Sequence, residues 1–257
     1  MNITIIGLGL IGGSIAADLK NKKIGKITAY DCKSSALKYA LQQKLIDDSK
    51  NSIKDAIKTA DIIIIAVPIA SFATVLKEIK PHLTAKQIIT DVISVKAAVI
   101  TIAKRILKKN ICQFVPGHPI SGSEKSGIQN CKTNLFIDHY TILTPLANTE
   151  PKAIKKITTL WKKLGAKVEI MTAKQHDEIL ADTSHLPHVI AYAYMNIFSA
   201  RKKILKYSAG SCRDFSRIAN SDPKLWIDIF HANKKALVTE INQFKQQLEK
   251  LLCQIQS

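Results

Sequence analysis

The chain has 257 residues, 46% of them hydrophobic, which exceeds the usual single-domain size of about 100–150 residues, so two domains are expected. Its 38 Lys and Arg against 20 Asp and Glu give a net charge of +18, yet the excess is mostly lysine scattered through all segments, without an arginine-rich run or interleaved aromatics, which argues against nucleic acid as the main partner. No stretch approaches the roughly 20 uninterrupted apolar residues that span a bilayer, and the five cysteines contain no C-x-x-C pair, so the expectation is a soluble cytoplasmic protein with no membrane partner.

The uncharged start is interrupted by Gly7, Gly9, Gly12 and Gly13 and lacks a preceding basic region, so it reads as folded protein rather than a signal peptide. Ile3 to Ile6, Ile27 to Tyr30, Ile62 to Val67, Ile88 to Val92 and Cys112 to Val115 are short apolar runs rich in β-branched residues, separated by helix-like stretches. That alternation predicts a parallel sheet covered on both faces. Tyr140 to Thr144 and Lys167 to Met171 read as two further strands flanking an amphipathic helix with Ile154, Ile157, Leu160, Trp161 and Leu164 on one side.

The first domain is expected over 1–172 and a helical one over 173–257, giving an α/β chain: a Rossmann-type doubly wound sheet followed by an all-helical domain. Asp222-Pro223 reads as an N-cap with proline at the first helical position. Beyond it Leu237, Ile241, Phe244, Leu248, Leu251 and Ile255 recur at steps of four and three, an a/d-type seam. Such a helix either packs on its own domain or also buries its stripe against a second subunit, making a homodimer.

Gly7-Leu8-Gly9-Leu10-Ile11-Gly12 follows a strand and opens a helix, the context of a dinucleotide-binding turn. Gly7 permits the tight turn, Gly9 lets a pyrophosphate approach the backbone, and Gly12 allows close helix–strand packing. Asp31, ending the second strand, stands where an acidic residue hydrogen-bonds the adenosine ribose, which favours NAD over NADP because a carboxylate repels a 2′-phosphate; Lys33 partly offsets this. Val67, closing the strand that starts at Ile62, and Pro68 after it are counted with the cofactor-binding residues.

His118 comes just after the fifth expected strand and so belongs at the carboxyl edge of the sheet. An imidazole with an ordinary pKa of about 6.5 can accept a proton when a carbinol loses hydride to nicotinamide. Gly117-His118-Pro119 alone reads equally as a turn with a buried histidine; the neighbouring Ser121, Ser123, Glu124 and Lys125 favour function, being poorly suited to a core. Downstream, Ser184 and His188 are spaced i, i+4 and His185 and His188 i, i+3, lining one side of a helix that Pro187 is expected to kink. A structural histidine pair is the plainer alternative. Zinc fits poorly, because no cysteine or carboxylate completes a recognisable ligand set, so no metal is expected. Gly210-Ser211-Cys212-Arg213-Asp214-Phe215-Ser216-Arg217 adds two guanidinium groups, suited either to a substrate carboxylate or to surface ion pairs.

With these segments in view, the chain resembles the prephenate dehydrogenases over nearly its whole length: Gly7 to Gly13 with Asp31; Asp91-Val92-Ile93-Ser94-Val95-Lys96; Gly117 to Gly127; Ser184 to His188; and Asp214 to Ala219 continuing through Ser221-Asp222-Pro223 to Trp226. The resemblance implies NAD-dependent oxidative decarboxylation of prephenate, with arogenate as the alternative substrate and a non-catalytic NAD-binding sensor as another. By it His118 is the catalytic histidine and Ser94 helps hold the reacting hydroxyl. It gives Arg217 a substrate carboxylate, puts Ser184 and His188 in contact with substrate, and has Glu124 and Asp214 pair with the arginine. His185, Ser123 and Gly210 complete the expected substrate-binding set. The stretch after the seam helix leaves no room for the ACT-type or chorismate mutase domain that some relatives carry.

Overall fold

The computed structural model describes residues 1–122, 125–199 and 206–257. The chain divides into two units, Met1–Ala173 and Lys174–Ser257. In the first, β1 (Asn2–Ile6), β2 (Lys26–Tyr30), β3 (Asp48–Ser49), β4 (Ile62–Ile65), β5 (Ile88–Asp91) and β6 (Phe114–Val115) form a parallel sheet in the order β3-β2-β1-β4-β5-β6. The helices between them are α1 (Leu10–Asn21), α2 (Ser34–Gln42), α3 (Ile53–Ile57), α4 (Ile69–Ile79) and α5 (Ala97–Leu107). The order reverses between β1 and β4, and α/β folds bind ligands at the carboxyl ends of strands beside such a reversal.

Apolar side chains on both faces dictate the middle of the sheet. All four residues of Ile62–Ile65 are buried, as are Ile3, Ile5 and Ile6. Helix α1 sinks most of its surface into the core and tolerates Ser14 and Asp18 there because both serve a distant loop. Ser14 Oγ accepts from Lys132 N at 2.9 Å, and Asp18 Oδ1 accepts from Asn134 N at 2.6 Å.

A second, smaller sheet joins β7 (Gly117–Pro119), β8 (Tyr140–Leu143) and β9 (Lys167–Ile170), with β7 antiparallel and β9 parallel to β8. Between β8 and β9, α6 (Pro151–Leu164) buries Ile157, Leu160, Trp161 and Leu164, the face its sequence marks, with Phe136 edge-on to Trp161 at 5.2 Å. One expectation is corrected here and one element is new. Cys112 and Gln113 end a 3-10 turn, Lys108–Gln113, leaving only Phe114 and Val115 as strand. His118, just past the end of β6, is itself in a strand of the second sheet, β7, which the sequence did not announce.

The second unit is helical among its described residues: α7 (Ala173–Leu180), a π-helical turn (Ala181–His185), α8 (Leu186–Ser199), α9 (Gly210–Ala219), α10 (Pro223–Ala232) and α11 (Lys234–Gln256). Asp222 caps α10, its carboxylate accepting from Lys224 N at 2.9 Å, with Pro223 opening the helix. Among the described residues no helix is long and apolar enough to cross a membrane.

Candidate functional site

The turn after β1 has the shape a dinucleotide needs. Gly7 has φ +96°, and a Cβ there would fall 2.5 Å from Ala66 O; one on Gly12 would fall 2.0 Å from Gly7 O. Those two glycines are required by backbone crowding. A Cβ on Gly9, by contrast, would meet nothing within 4 Å, so that face is open. Gly9 caps α1 without a side-chain hydrogen bond, and no acidic residue stands in the first turn, leaving a helix N-terminus of favourable polarity for a phosphate. The side chains of Leu8 and Leu10 are buried, so both offer backbone only; Ile11, half-buried, and Gly12 lie in the first turn of α1. Asp31 accepts from Leu8 N at 2.6 Å and from Lys33 N at 2.7 Å, which ties the carboxylate at the end of β2 to the turn itself. Val67 stands against Gly7, its Cγ1 3.0 Å from where a Cβ would be, and Pro68 opens α4. These residues fit a pyridine dinucleotide: an open glycine, a helix N-terminus and an adjacent carboxylate.

On the other side of β4, a buried ion pair organises the segment around His118. Lys96 and Asp91 are both fully buried, with Lys96 Nζ 2.5 Å from Asp91 Oδ2. The same ammonium donates to Gly117 O at 2.6 Å; Asp91 in turn accepts from Ile93 N at 2.9 Å and from Gly117 N at 3.3 Å. Burial pushes the Asp91 carboxyl up from the usual carboxylate range, and the Lys96 charge followed by the two amides pulls against it. Residues 93 and 117, both bonded to this pair, immediately precede Ser94 and His118, which are half-buried. His118 itself sits opposite Ile142 of β8.

In the helical unit, His185 and His188 pack on Trp226, and Ser184 is tied to His188 through its carbonyl. The His188 ring stacks on Trp226 with centroids 3.4 Å apart, and its Nδ1 donates to Ser184 O at 2.9 Å. His185 is buried edge-on to the same indole, and its Nδ1 accepts from Asn233 Nδ2 at 3.1 Å. That acceptor role puts the proton on Nε2, which has no hydrogen-bond partner among the described residues. Burial depresses His185 to about 4, the Asp177 charge opposing, and burial also lowers His188 against its bond to Ser184. Both rings are therefore neutral near pH 7. Pro187 does not break the helix: the run stays helical from Ala173 to Ser199, and the misfit is taken up in the π-turn holding Ser184 and His185.

Gly210 begins α9, and Asp214 and Arg217 are exposed one turn apart on it, with Arg217 Nε 4.0 Å from Asp214 Oδ1. A pair that long and that wet leaves the guanidinium available to a ligand. Ser123 and Glu124 lie outside the described residues. Sequence reasoning gave no role to Lys96, Asp91, Trp226 or Asn233. The first two carried a usable signal, a carboxylate and an ammonium five residues apart around an otherwise apolar strand end; Asn233 carried none. Among the described residues no group of three or more His, Cys, Asp or Glu could hold a metal ion.

Comparison with known proteins agrees with this arrangement. The family described as prephenate dehydrogenase, nucleotide-binding domain, matches residues 15–170, and the prephenate dehydrogenase dimerization domain matches 172–257. The cyclohexadienyl dehydrogenase of Zymomonas mobilis is 39% identical over 262 residues, covering 100% of this chain and 89% of the relative. Prephenate dehydrogenase from A. aeolicus, solved with hydroxyphenyl propionate and NAD+, superposes with a TM-score of 0.93 at 33% identity, covering 99% of this chain and 90% of that one. An arogenate dehydrogenase from Synechocystis superposes with a TM-score of 0.84 at 29% identity, covering 100% and 92%. With a dinucleotide turn in a six-stranded parallel sheet, a helical second unit and both family domains in order, this chain is a dehydrogenase and belongs to the prephenate/arogenate dehydrogenase family.

Proposed function

We propose that the protein oxidises prephenate to 4-hydroxyphenylpyruvate and CO₂ with NAD+ as oxidant. The observation that carries this reading is the placement of Ser94 and His118, each directly following a residue bonded to the Asp91–Lys96 pair, in the same unit as the dinucleotide turn. Gly7 to Gly12, Asp31, Val67 and Pro68 would hold the cofactor, which when bound supplies the hydride acceptor. His118 takes the proton of the substrate's C4 hydroxyl as hydride leaves C4, and Ser94 helps hold that hydroxyl. The resulting ring carbonyl is an electron sink, so loss of CO₂ follows to give the phenol, with no covalent bond to the protein.

Arg217 neutralises a substrate carboxylate by paired hydrogen bonds, and Asp214, one turn away on the same helix, competes for it when the site is empty. Ser184, His185, His188, Ser123 and Gly210 complete the substrate-binding set. Neutral imidazoles at 185 and 188 suit this role, because His185 keeps an N–H at Nε2 and His188, its Nδ1 donating to Ser184 O, keeps an acceptor at Nε2, neither adding charge. Asp31 favours NAD over NADP by repelling a 2′-phosphate. The five free cysteines fit a reducing cytoplasm. The protein acts as a homodimer: along α11 the seam is buried at Leu237 but 49% exposed at Leu248, 53% at Leu251 and 81% at Ile255, a stripe that a second copy would cover.

An arogenate reading stands second, favoured by the likeness to the Synechocystis enzyme. Following NADH absorbance with each substrate, and with NAD and NADP, tests both readings. Turnover is expected with prephenate and NAD; turnover with arogenate alone transfers the assignment, and none with either leaves a nucleotide-binding sensor.

A further inference from the structure

We propose that Asp91 and Lys96 are positioning residues for the reaction, a charged clamp that sets the strand bearing His118 against the loop bearing Ser94. This rests on the catalytic reading of His118 and Ser94 given above. In an antiparallel pair, successive residues direct their N–H and C=O groups to opposite edges of the strand. Pro116 O and Ile120 N bond across to Thr144 and Tyr140, so the polar groups of Gly117, one residue out of phase, point away from β8. There they meet side chains rather than another strand. Asp91 Oδ1 accepts from Gly117 N, and Lys96 Nζ donates to Gly117 O, so the ion pair takes the place of a neighbouring backbone.

The same carboxylate, through Oδ2, holds Ile93 N and thereby the start of the loop that carries Ser94. One buried pair thus fixes the residue before each reacting side chain. Neutral packing could join β5 to β7 as firmly, and burying two full charges is a poor way to gain stability. What the pair supplies is direction: one donor and one acceptor aimed at a single peptide. The contact is also close. A Cβ at Gly117 would lie 3.1 Å from Asp91 O and 3.2 Å from Leu143 Cδ2, so β7 has little freedom to shift.

The experiment uses the double variant Asp91→Asn/Lys96→Met, which removes both charges together, and Lys96→Arg, which keeps the charge but replaces a compact ammonium by a planar fork. Melting temperature, Kd for NAD+, KM and kcat are measured for each beside His118→Asn. Misplacing a reacting group by about 1 Å costs about 100-fold in rate. The double variant is therefore expected to melt near the parent and bind NAD+ within about twofold, with KM little changed and kcat down by about 10- to 100-fold. Lys96→Arg should show a smaller loss of the same kind.

Parent-level kcat in either folded variant overturns the proposal. So does failure of both to fold, since the pair would then be scaffold. Full activity in His118→Asn sinks the catalytic reading itself; loss there with normal kcat in the other two sinks the clamp alone.

Discussion

Histidines are placed by opposite means in the two units of this protein. Around His118 the supporting groups are charged, fully buried and bonded to backbone, and the histidine sits on a strand. Around His185 and His188 the supports are an indole, an amide and a π-turn, and one buried Nε2 lacks a partner among the described residues. The first environment fixes the backbone next to the histidine, at Gly117. The second fixes a protonation state, since a desolvated imidazole resists a proton. Under the proposed function, the former suits the base and the latter the residues assigned to the substrate.

The sharpest way to break the comparison is His118→Asn. It should lower kcat by about 10²- to 10⁴-fold with KM little changed, the range for removing a general base, as read in the NADH assay. Next comes His185, whose contribution should appear in stability. Its folded pKa of about 4 lies below the ordinary histidine value of about 6.5, so the unfolded chain binds more protons between those values. Stability from this group is complete above about pH 6.5 and is lost on acidification towards pH 4, by about 3 kcal/mol in all. Thermal unfolding of His185→Phe across that window should show a flatter pH dependence than the parent, with the neighbouring Asp177, His176 and His188 left in place; an unchanged slope contradicts a neutral buried ring.

Arg217→Ala sharpens the division of labour between binding and chemistry. Losing charge-assisted bonds to a carboxylate should raise KM by about 10- to 100-fold and alter kcat less. An unchanged KM removes Arg217 from the substrate site. Smallest is Asp222→Ala, which removes the cap of α10 and should cost about 1 kcal/mol by denaturant unfolding, with kcat retained. A kinetic defect there would mean that α10, which presents Trp226 to the histidines, senses its own first turn.

Legibility in the sequence followed the kind of force involved. Strands β1 and β4 announce themselves as apolar runs because both faces are covered. Strand β3 is two polar residues, Asp48 and Ser49, and β7 contains glycine and proline, so neither has a strand-like composition; backbone pairing to β2 and β8 makes them strands. Cys112 and Gln113 extend an apolar run on paper, but they close a 3-10 turn whose Gln113 side chain bonds Thr84 O and Gln87 O. Pro187 was readable as a disturbance of the helix, though not as a π-turn, because a proline removes a hydrogen bond without specifying where the chain recovers it.

The sequence alone determined the nucleotide turn and the cap of α10. In the cap and in the close approach of Gly12 to Gly7 the groups are a few residues apart, so local sterics or one local hydrogen bond decides the outcome; the crowding of Gly7 against Ala66 is the tertiary consequence. Tertiary structure decided the setting of His118 and the neutrality of His185. Gly117 meets Lys96 and Asp91 across 21 and 26 residues, and Asn233 reaches His185 across 48. Such contacts gain their strength from exclusion of water, and folding alone determines which groups water leaves.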